Sequence, residues 1–494
     1  MNNKNLINAI SGLLGFTIPI LALVFTSPYI INHLGTESYG VINITSLLIS
    51  YLLLLDCAYE VVLTPKIAAN NALIGKLASD SLLVYITVGL VGIVFITLLG
   101  YPYAFYWVNI EDSHRLDLYL TMICTGFSFL SLMLFSWNRA ISNGLGNYVS
   151  SNFFYVIFNL GGILIGVLVV YWGYDFLGYT FARSMVWVVM IPIYIIHLHK
   201  FVVKIKVKFS KDAFIDFTKN IKYGFWLRLS EQFLNRADQL LITVIFDLKV
   251  IAYFSACFII YNANTLLVRK MIEFTLPKFA ALVEQNNMTT LKYDFEKYFE
   301  LTTALVLLVF GTTIFVGNDL IIVWLGADFA LHANKIYFNM LVGGALSGIS
   351  IILLSYFLIA NNQYPQYSKY LTTRSFAYLI LFVLLTIIFK LSIDTISILF
   401  ILNGVVDFMY MVYTIKSFTT IKFDLLNLKF YLYTTSLLGL AILIYVYRST
   451  LPLSYNFYNL VLMCAIYFSF YIFVSLMLNY PNRSTYLKLF KINH

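Results

Sequence analysis

Charge is what this sequence has least of. Asp, Glu, Lys and Arg make up 11% of its 494 residues, where a soluble domain carries about 25%. A chain that is 61% hydrophobic with so little charge is excluded as a soluble globule and reads as a polytopic membrane protein. Cysteine is as sparse. Cys57, Cys124, Cys257 and Cys464 stand far apart inside apolar stretches, with no Cys-x-x-Cys or Cys/His spacing. That pattern excludes both a disulfide framework and a zinc site. No Ser/His/Asp, DxD or HExxH arrangement is present, so the chain is read as a non-enzyme. The first apolar run, 9–31, contains no Asp or Glu, and neither it nor the second contains arginine. The first run also lacks a small-residue cleavage site, so it is expected to be a retained helix and not a signal peptide.

What the chain has is apolar runs of membrane-spanning length along its whole extent. They predict fourteen helices, among them 9–31, 41–63, 82–106, 116–138, 177–199, 223–246, 250–276, 371–389, 394–416, 430–448 and 457–479. Lys and Arg set the orientation. With the N-terminus inside, 24 of the 32 fall on the cytoplasmic side and five (Arg115, Lys249, Lys335, Lys390, Arg448) outside, which places both termini in the cytoplasm. The net charge of +9 follows from this bias and needs no nucleic-acid partner. No outward loop is long enough to fold as a domain. The basic stretch 200–222 alternates lysines with Val, Ile and Phe, and reads either as an interfacial helix on anionic headgroups or as a plain positive-inside loop.

One helix departs from the apolar pattern. Gly224 to Phe246 carries Arg228, Glu231, Gln232, Asn235, Arg236, Asp238 and Gln239. On a helical wheel these seven occupy an arc of roughly 160°. In lipid such a stripe must face a bundle interior or a wet cavity. The other reading is a stripe that pairs internally and only holds helices together. Arg228 and Arg236, about 12 Å apart on one face, have the fork geometry that suits phosphate oxygens. Arg183 in helix 6 is the only other arginine read as buried, the rest being counted with the loops, and it faces either a ligand or a neighbouring carboxylate. The buried acids are Asp56, Glu60, Glu231, Asp238 and Asp407. Asp56 and Glu60, at i and i+4 on one predicted helical face, are candidates to share H⁺ or Na⁺; the alternative is that each acid neutralises an arginine.

The two sides of the basic stretch echo each other. Thr64-Pro65-Lys66-Ile67-Ala68 matches Leu276-Pro277-Lys278-Phe279-Ala280, and Tyr106-Trp107-Val108 matches Val323-Trp324-Leu325. Tyr39-Gly40 and Tyr253-Phe254 precede the two prolines by similar spacings, and Asn143-Gly144-Leu145-Gly146 matches Ala360-Asn361-Asn362-Gln363. The order predicts a lobe over 1–200, a linker over 201–222, a second lobe over 223–418 and two further helices with a tail over 419–494. Both lobes start inside, so the repeat is parallel. The fold class expected is therefore all-α and polytopic, two six-helix lobes around a central cavity plus two extra helices. Lys66 and Lys278 sit at matching cytoplasmic ends, to receive a headgroup or to snorkel.

The stretch His33-Leu34-Gly35-Thr36-Glu37-Ser38-Tyr39-Gly40, followed by Leu54-Leu55-Asp56, resembles the opening of the Wzx-type polysaccharide flippases. These belong to the multidrug/oligosaccharidyl-lipid/polysaccharide exporter superfamily. Asn235-Arg236-Ala237-Asp238-Gln239-Leu240-Leu241 and Trp324-Leu325-Gly326-Ala327-Asp328-Phe329 are similar to that family's second half. Cys57-Ala58 replaces the family's usual Gly after the helix-2 Asp, and the last two helices are additional to the twelve of many members. The resemblance implies a flippase of the bacterial inner membrane that moves undecaprenyl-pyrophosphate-linked oligosaccharide repeat units (O-antigen, capsule or exopolysaccharide) to the periplasmic leaflet by alternating access. It implies Arg228, Arg236, Arg183, Gln232, Asn235, Lys66 and Lys278 as cavity residues for pyrophosphate and sugar. It further implies H⁺ or Na⁺ as the coupling ion, no other cofactor, membrane lipids as surroundings, and a polysaccharide polymerase and chain-length regulator as partners. Enzymes of the same pathways resemble chains with a large outward loop, which is lacking here. A multidrug extruder of the superfamily would carry an acid in helix 1, and a lipid II flippase would carry arginines in helices 1 and 2.

Overall fold

A glycine turn divides the first long helical stretch. The computed structural model describes residues 3–56, 59–69, 74–108, 110–202, 215, 229, 234–361, 363–417, 427–449 and 457–481. Helix α1 (Asn3–Leu52) has non-helical geometry at Gly35, φ 83° and ψ 166°, a region essentially closed to any other residue. Ser27 and Tyr39 would stand about 18 Å apart along an unbroken helix. Their hydroxyls lie 3.0 Å apart, so the chain folds back at Gly35. The two predicted helices at 9–31 and 41–63 are thus the arms of one hairpin. Its second arm tightens into a 3-10 turn at Leu53–Asp56 before α2 (Tyr59–Ala69).

Next come α3 (Ile74–Pro102), α4 (Arg115–Gly144), α5 (Tyr148–Tyr171) and α6 (Phe176–His197), then α7 (Leu234–Ile245) and α8 (Leu248–Ile272). After these follow α9 (Thr275–Glu284), α10 (Met288–Phe315), α11 (Gly317–Leu325), α12 (Ala327–Ala360) and α13 (Tyr364–Val383). The last are α14 (Leu399–Ser417), α15 (Leu428–Ser449) and α16 (Phe457–Leu478). Twelve stretches among the described residues are long and apolar enough to cross a membrane, and the first of them contains the Gly35 turn. The predicted helix 223–246 is described only from Leu234, so the rest of it, like most of the basic stretch 200–222, lies outside the described residues. The described elements are helical throughout, in keeping with the all-α class read from the sequence.

The chain divides into two compact units, Met1–Ser255 and Ala256–His494. In the first, α4 packs on α2, α3 and α6, and α5 lies against α1 and α6. The α4–α6 seam is a ladder of polar contacts. Ser128 donates to Ser184 at 2.8 Å, Ser131 to the Trp187 carbonyl, and Asn138 to the Tyr194 carbonyl at 3.4 Å. Each pair is separated by the same 56 residues, so the two helices run parallel and in register. Small hydroxylated side chains let helices approach and bond across an apolar medium, which is how they replace the hydrophobic effect in lipid.

The second unit uses the same order of packing: α12 lies on α9, α10 and α14. Here glycines close the seam. A Cβ on Gly343 would meet the Phe400 carbonyl at 2.2 Å, and one on Gly404 would meet the Gly343 carbonyl at 2.6 Å. Asn339 bonds Ser397 at 2.7 Å and Ser347 bonds Asp407 at 2.6 Å along the same parallel pair. Gly326, between α11 and α12, repeats the geometry of Gly35 with φ 93° and ψ 163°. The two C-terminal helices pack on α10. The hydroxyls of Tyr467 and Tyr471 donate to the Leu307 and Ala304 carbonyls at 2.9 and 3.3 Å.

Candidate functional site

Intramembrane charge is the feature from which a site can be built, because each charge must find a partner, water or a ligand. Three arginines find carboxylates on another helix. Arg139 on α4 forks onto Glu60 on α2, with Nε–Oε1 at 2.6 Å and Nη2–Oε2 at 2.5 Å. Arg374 on α13 donates to both oxygens of Asp407 on α14 at 2.6 Å, while Tyr370 and Ser347 add hydroxyl donors at 2.6 Å. Arg448 at the end of α15 meets Asp319 on α11 at 2.8 Å. Arg139 and Arg374 correct the sequence reading, which counted both as loop cations and left Arg183 as the only arginine besides the two in helix 7. Helix α4 continues past the run that ends at residue 138, Arg374 stands within the run 371–389 but was counted with the loop before it, and a distant acid neutralises each arginine.

Arg183 behaves differently. It lies half-buried on α6, its Nη1 donates to Ser46 at 3.3 Å, and its guanidinium sits 4.8 Å over the Trp187 ring. Among the described residues no carboxylate is within ion-pair distance of it, and its buried Nε has no hydrogen-bond partner. The alternative of pairing with a neighbouring helix carboxylate is therefore not what the described residues contain.

The acids proposed for ion coupling are distributed unequally. Asp56 is 2% exposed at the end of the 3-10 turn. Glu60 lies in the first turn of α2; residues 57–58, which join it to Asp56, lie outside the described residues. Glu60 is matched by Arg139, and Asp407, fully buried, by Arg374. Asp238 is buried on α7, and its Oδ1 accepts the Gln239 backbone N–H at 2.8 Å. Arg228, Glu231 and Gln232, and the side chains of Asn235 and Arg236, lie outside the described residues. Among the described residues no group of His, Cys, Asp and Glu has the placement to hold a metal ion.

The two matching lysines sit on short helices, Lys66 on α2 and Lys278 on α9. Lys66 is half-buried. Lys278 meets Asp294 at 2.7 Å and donates to Tyr298 at 2.9 Å. Burial works against its ammonium, but the bonds to Asp294 and Tyr298 prevail and hold its pKa above the ordinary lysine value.

The second unit also contains an apolar groove of about 360 Å³. Leu346 and Ile349 of α12, Phe408 of α14, and Phe430, Leu438 and Ile442 of α15 form its walls. Leu346 and Phe408 adjoin Ser347 and Asp407 in sequence, so the groove and the Arg374–Asp407 node share the α12–α14 seam. Sequence reading missed the groove, because helix–helix packing and not local pattern creates it.

No protein-family model and no curated protein sequence matches the chain. Solved structures do. The lipid II flippase MurJ in an inward closed conformation is 14% identical, with a TM-score of 0.73, covering 96% of this chain and 99% of that one. An inward-facing multidrug resistance MATE family transporter of the MOP superfamily is 14% identical with a TM-score of 0.68, covering 83% of this chain and 98% of that one. A MOP superfamily transporter from Pyrococcus furiosus, described as having a binding pocket of reverse polarity, is 14% identical with a TM-score of 0.58 over 84% and 96%. At such identities the likeness is one of fold.

Proposed function

With the fold of the MOP flippases and transporters as its premise, we propose that this chain is a flippase for undecaprenyl-pyrophosphate-linked oligosaccharide repeat units. On this reading it moves them from the cytoplasmic to the periplasmic leaflet of a bacterial inner membrane by alternating access. The observation that carries the reading is the apolar groove walled by α15. A substrate with a long polyprenyl tail needs a lipid-like channel beside the cavity that takes its headgroup, and a small soluble drug does not. The comparisons support the same choice. The lipid-substrate flippase covers 96% of this chain and the drug transporter 83%, a difference of about the size of α15, α16 and the tail.

In this proposal Arg228 and Arg236 contact the pyrophosphate and Gln232 and Asn235 the sugars, with Lys66 at the cytoplasmic approach. Lys278 takes part only by leaving Asp294. Coupling to H⁺ or Na⁺ falls to Asp56 and to the acids of helix 7, Glu231 and Asp238, since Arg374 already matches Asp407. The lipid II reading is favoured by the MurJ likeness and disfavoured by the lack of arginine in the first two helices.

Deletion of the protein followed by lipid extraction tests the proposal. Accumulation of a complete lipid-linked repeat unit on the cytoplasmic leaflet, with surface polymer lost, is expected. Normal polymer without accumulation would overturn it.

A further inference from the structure

Three buried polar atoms on one face of α6 have no hydrogen-bond partner. They are Thr180 Oγ1, Arg183 Nε and Trp187 Nε1. Their spacing, i, i+3 and i+7, stacks them along two turns of one helical stripe. Trp187 is 3% exposed and Thr180 equally buried. Buried donors without acceptors are rare in folded proteins, because each has lost its water without gaining a partner. Here three share one stripe, and one belongs to a cation with no carboxylate within ion-pair distance among the described residues.

The surroundings hold that face in place. Phe158 stacks on Trp187 with ring centroids 4.1 Å apart, and the Arg183 guanidinium lies 4.8 Å from the centroid of the same ring. Gly162 on α5 leaves the space that both side chains use. A Cβ there would meet Trp187 Nε1 at 2.6 Å and Arg183 Cγ at 3.0 Å. Ser46, facing from α1, bonds the guanidinium and leaves the rest of the fork undirected.

We propose that Thr180, Arg183 and Trp187, with Ser46, form an anion subsite within the first unit, built for phosphate oxygens. The chemistry fits: a guanidinium fork, an indole N–H that can only donate, and two hydroxyls offer several donors around a single positive charge. Arg139, Arg374 and Arg448 are each closed by an acid; Arg183 has none within ion-pair distance among the described residues, which leaves its charge for an anionic ligand to match. The inference deepens the flippase reading and rests on it for the source of the phosphate, a prenyl pyrophosphate headgroup.

Calorimetric titration of the detergent-solubilised full chain with geranylgeranyl pyrophosphate tests it, with geranylgeraniol as the phosphate-free control. Arg183→Gln should weaken pyrophosphate binding by about tenfold or more and leave geranylgeraniol binding unchanged. Arg183→Lys, which keeps the charge and loses the fork, should fall between. Trp187→Phe keeps the stack, removes the N–H and should weaken binding by a smaller factor. Competition by inorganic pyrophosphate would assign the subsite to phosphate groups at large. Competition by the prenylated form alone would assign it to a lipid headgroup; both uphold the subsite. Unchanged pyrophosphate affinity in Arg183→Gln and Trp187→Phe would overturn it. Binding is read without transport, so the two proposals fail separately. A chain that flips no glycan yet loses affinity on Arg183→Gln refutes the transport reading alone.

Discussion

A single nitrogen of Arg374 reaches both carboxylate oxygens of Asp407 at 2.6 Å, tying α13 to the parallel α12–α14 pair. Asp407 is 1% exposed and Arg374 17%. Removing one partner from such a pair leaves a buried charge alone, at a cost of roughly 3–5 kcal/mol, whereas removing both is far milder. Arg374→Gln should therefore lower the melting temperature in detergent more than the double variant Arg374→Gln/Asp407→Asn. Additive losses would show that the two residues do not act as a pair.

Asp56 and Glu60 should part company when each is converted to its amide. Glu60→Gln strands Arg139 and is expected to act on stability, because the bidentate fork is lost. Asp56→Asn is expected to shift the pH or Na⁺ dependence of transport. Transport rates over a pH series, with and without Na⁺, check both. An unaltered profile in Asp56→Asn removes the 3-10 turn from coupling.

Gly311 on α10 is where α16 docks. A Cβ at that position would stand 1.8 Å from the Tyr467 hydroxyl. Gly311→Ala should destabilise the chain by about 1–3 kcal/mol through overpacking. Adding Tyr467→Phe should recover part of the loss, since the clashing oxygen is removed. Melting curves of the two single variants and the double variant decide it; a double variant worse than the sum would refute the docking.

Gly35 and Gly326 should tolerate no side chain. Each adopts a backbone region that costs other residues roughly 1–3 kcal/mol. No heavy atom lies within 4 Å of a Cβ built on either, so the penalty is conformational and not steric. Gly35→Ala and Gly326→Ala should each lose thermal stability in that range, and Gly439→Ala, with normal φ and open space, should not.

The spans were legible because hydropathy is a local signal, whereas the turns at Gly35 and Gly326 were not read from the sequence. Arg183 was legible too, as the arginine deepest in an apolar run. Arg139 was misread as a loop cation because the hydropathy pattern ends at the first charge while the helix does not, and Arg374, near the start of its run, was counted with the loop before it. Their partners Glu60 and Asp407 lie 79 and 33 residues away, a separation that local periodicity cannot report. The Thr180–Arg183–Trp187 stripe was present in the sequence, but only burial without partners distinguishes it from an ordinary helical face. The groove depends on how α15 meets α12 and α14, and no stretch of sequence encodes that by itself.

The most direct measurement is translocation by the purified chain in sealed vesicles, using a fluorescent undecaprenyl-pyrophosphate oligosaccharide in one leaflet and an impermeant quencher outside. Protein-dependent transfer of the probe between leaflets is expected, slowed by a bulky Gly439→Trp substitution in α15 beside the groove. Vesicles that leave the lipid-linked probe in place yet extrude a small cationic dye would contradict the flippase account and support a drug transporter.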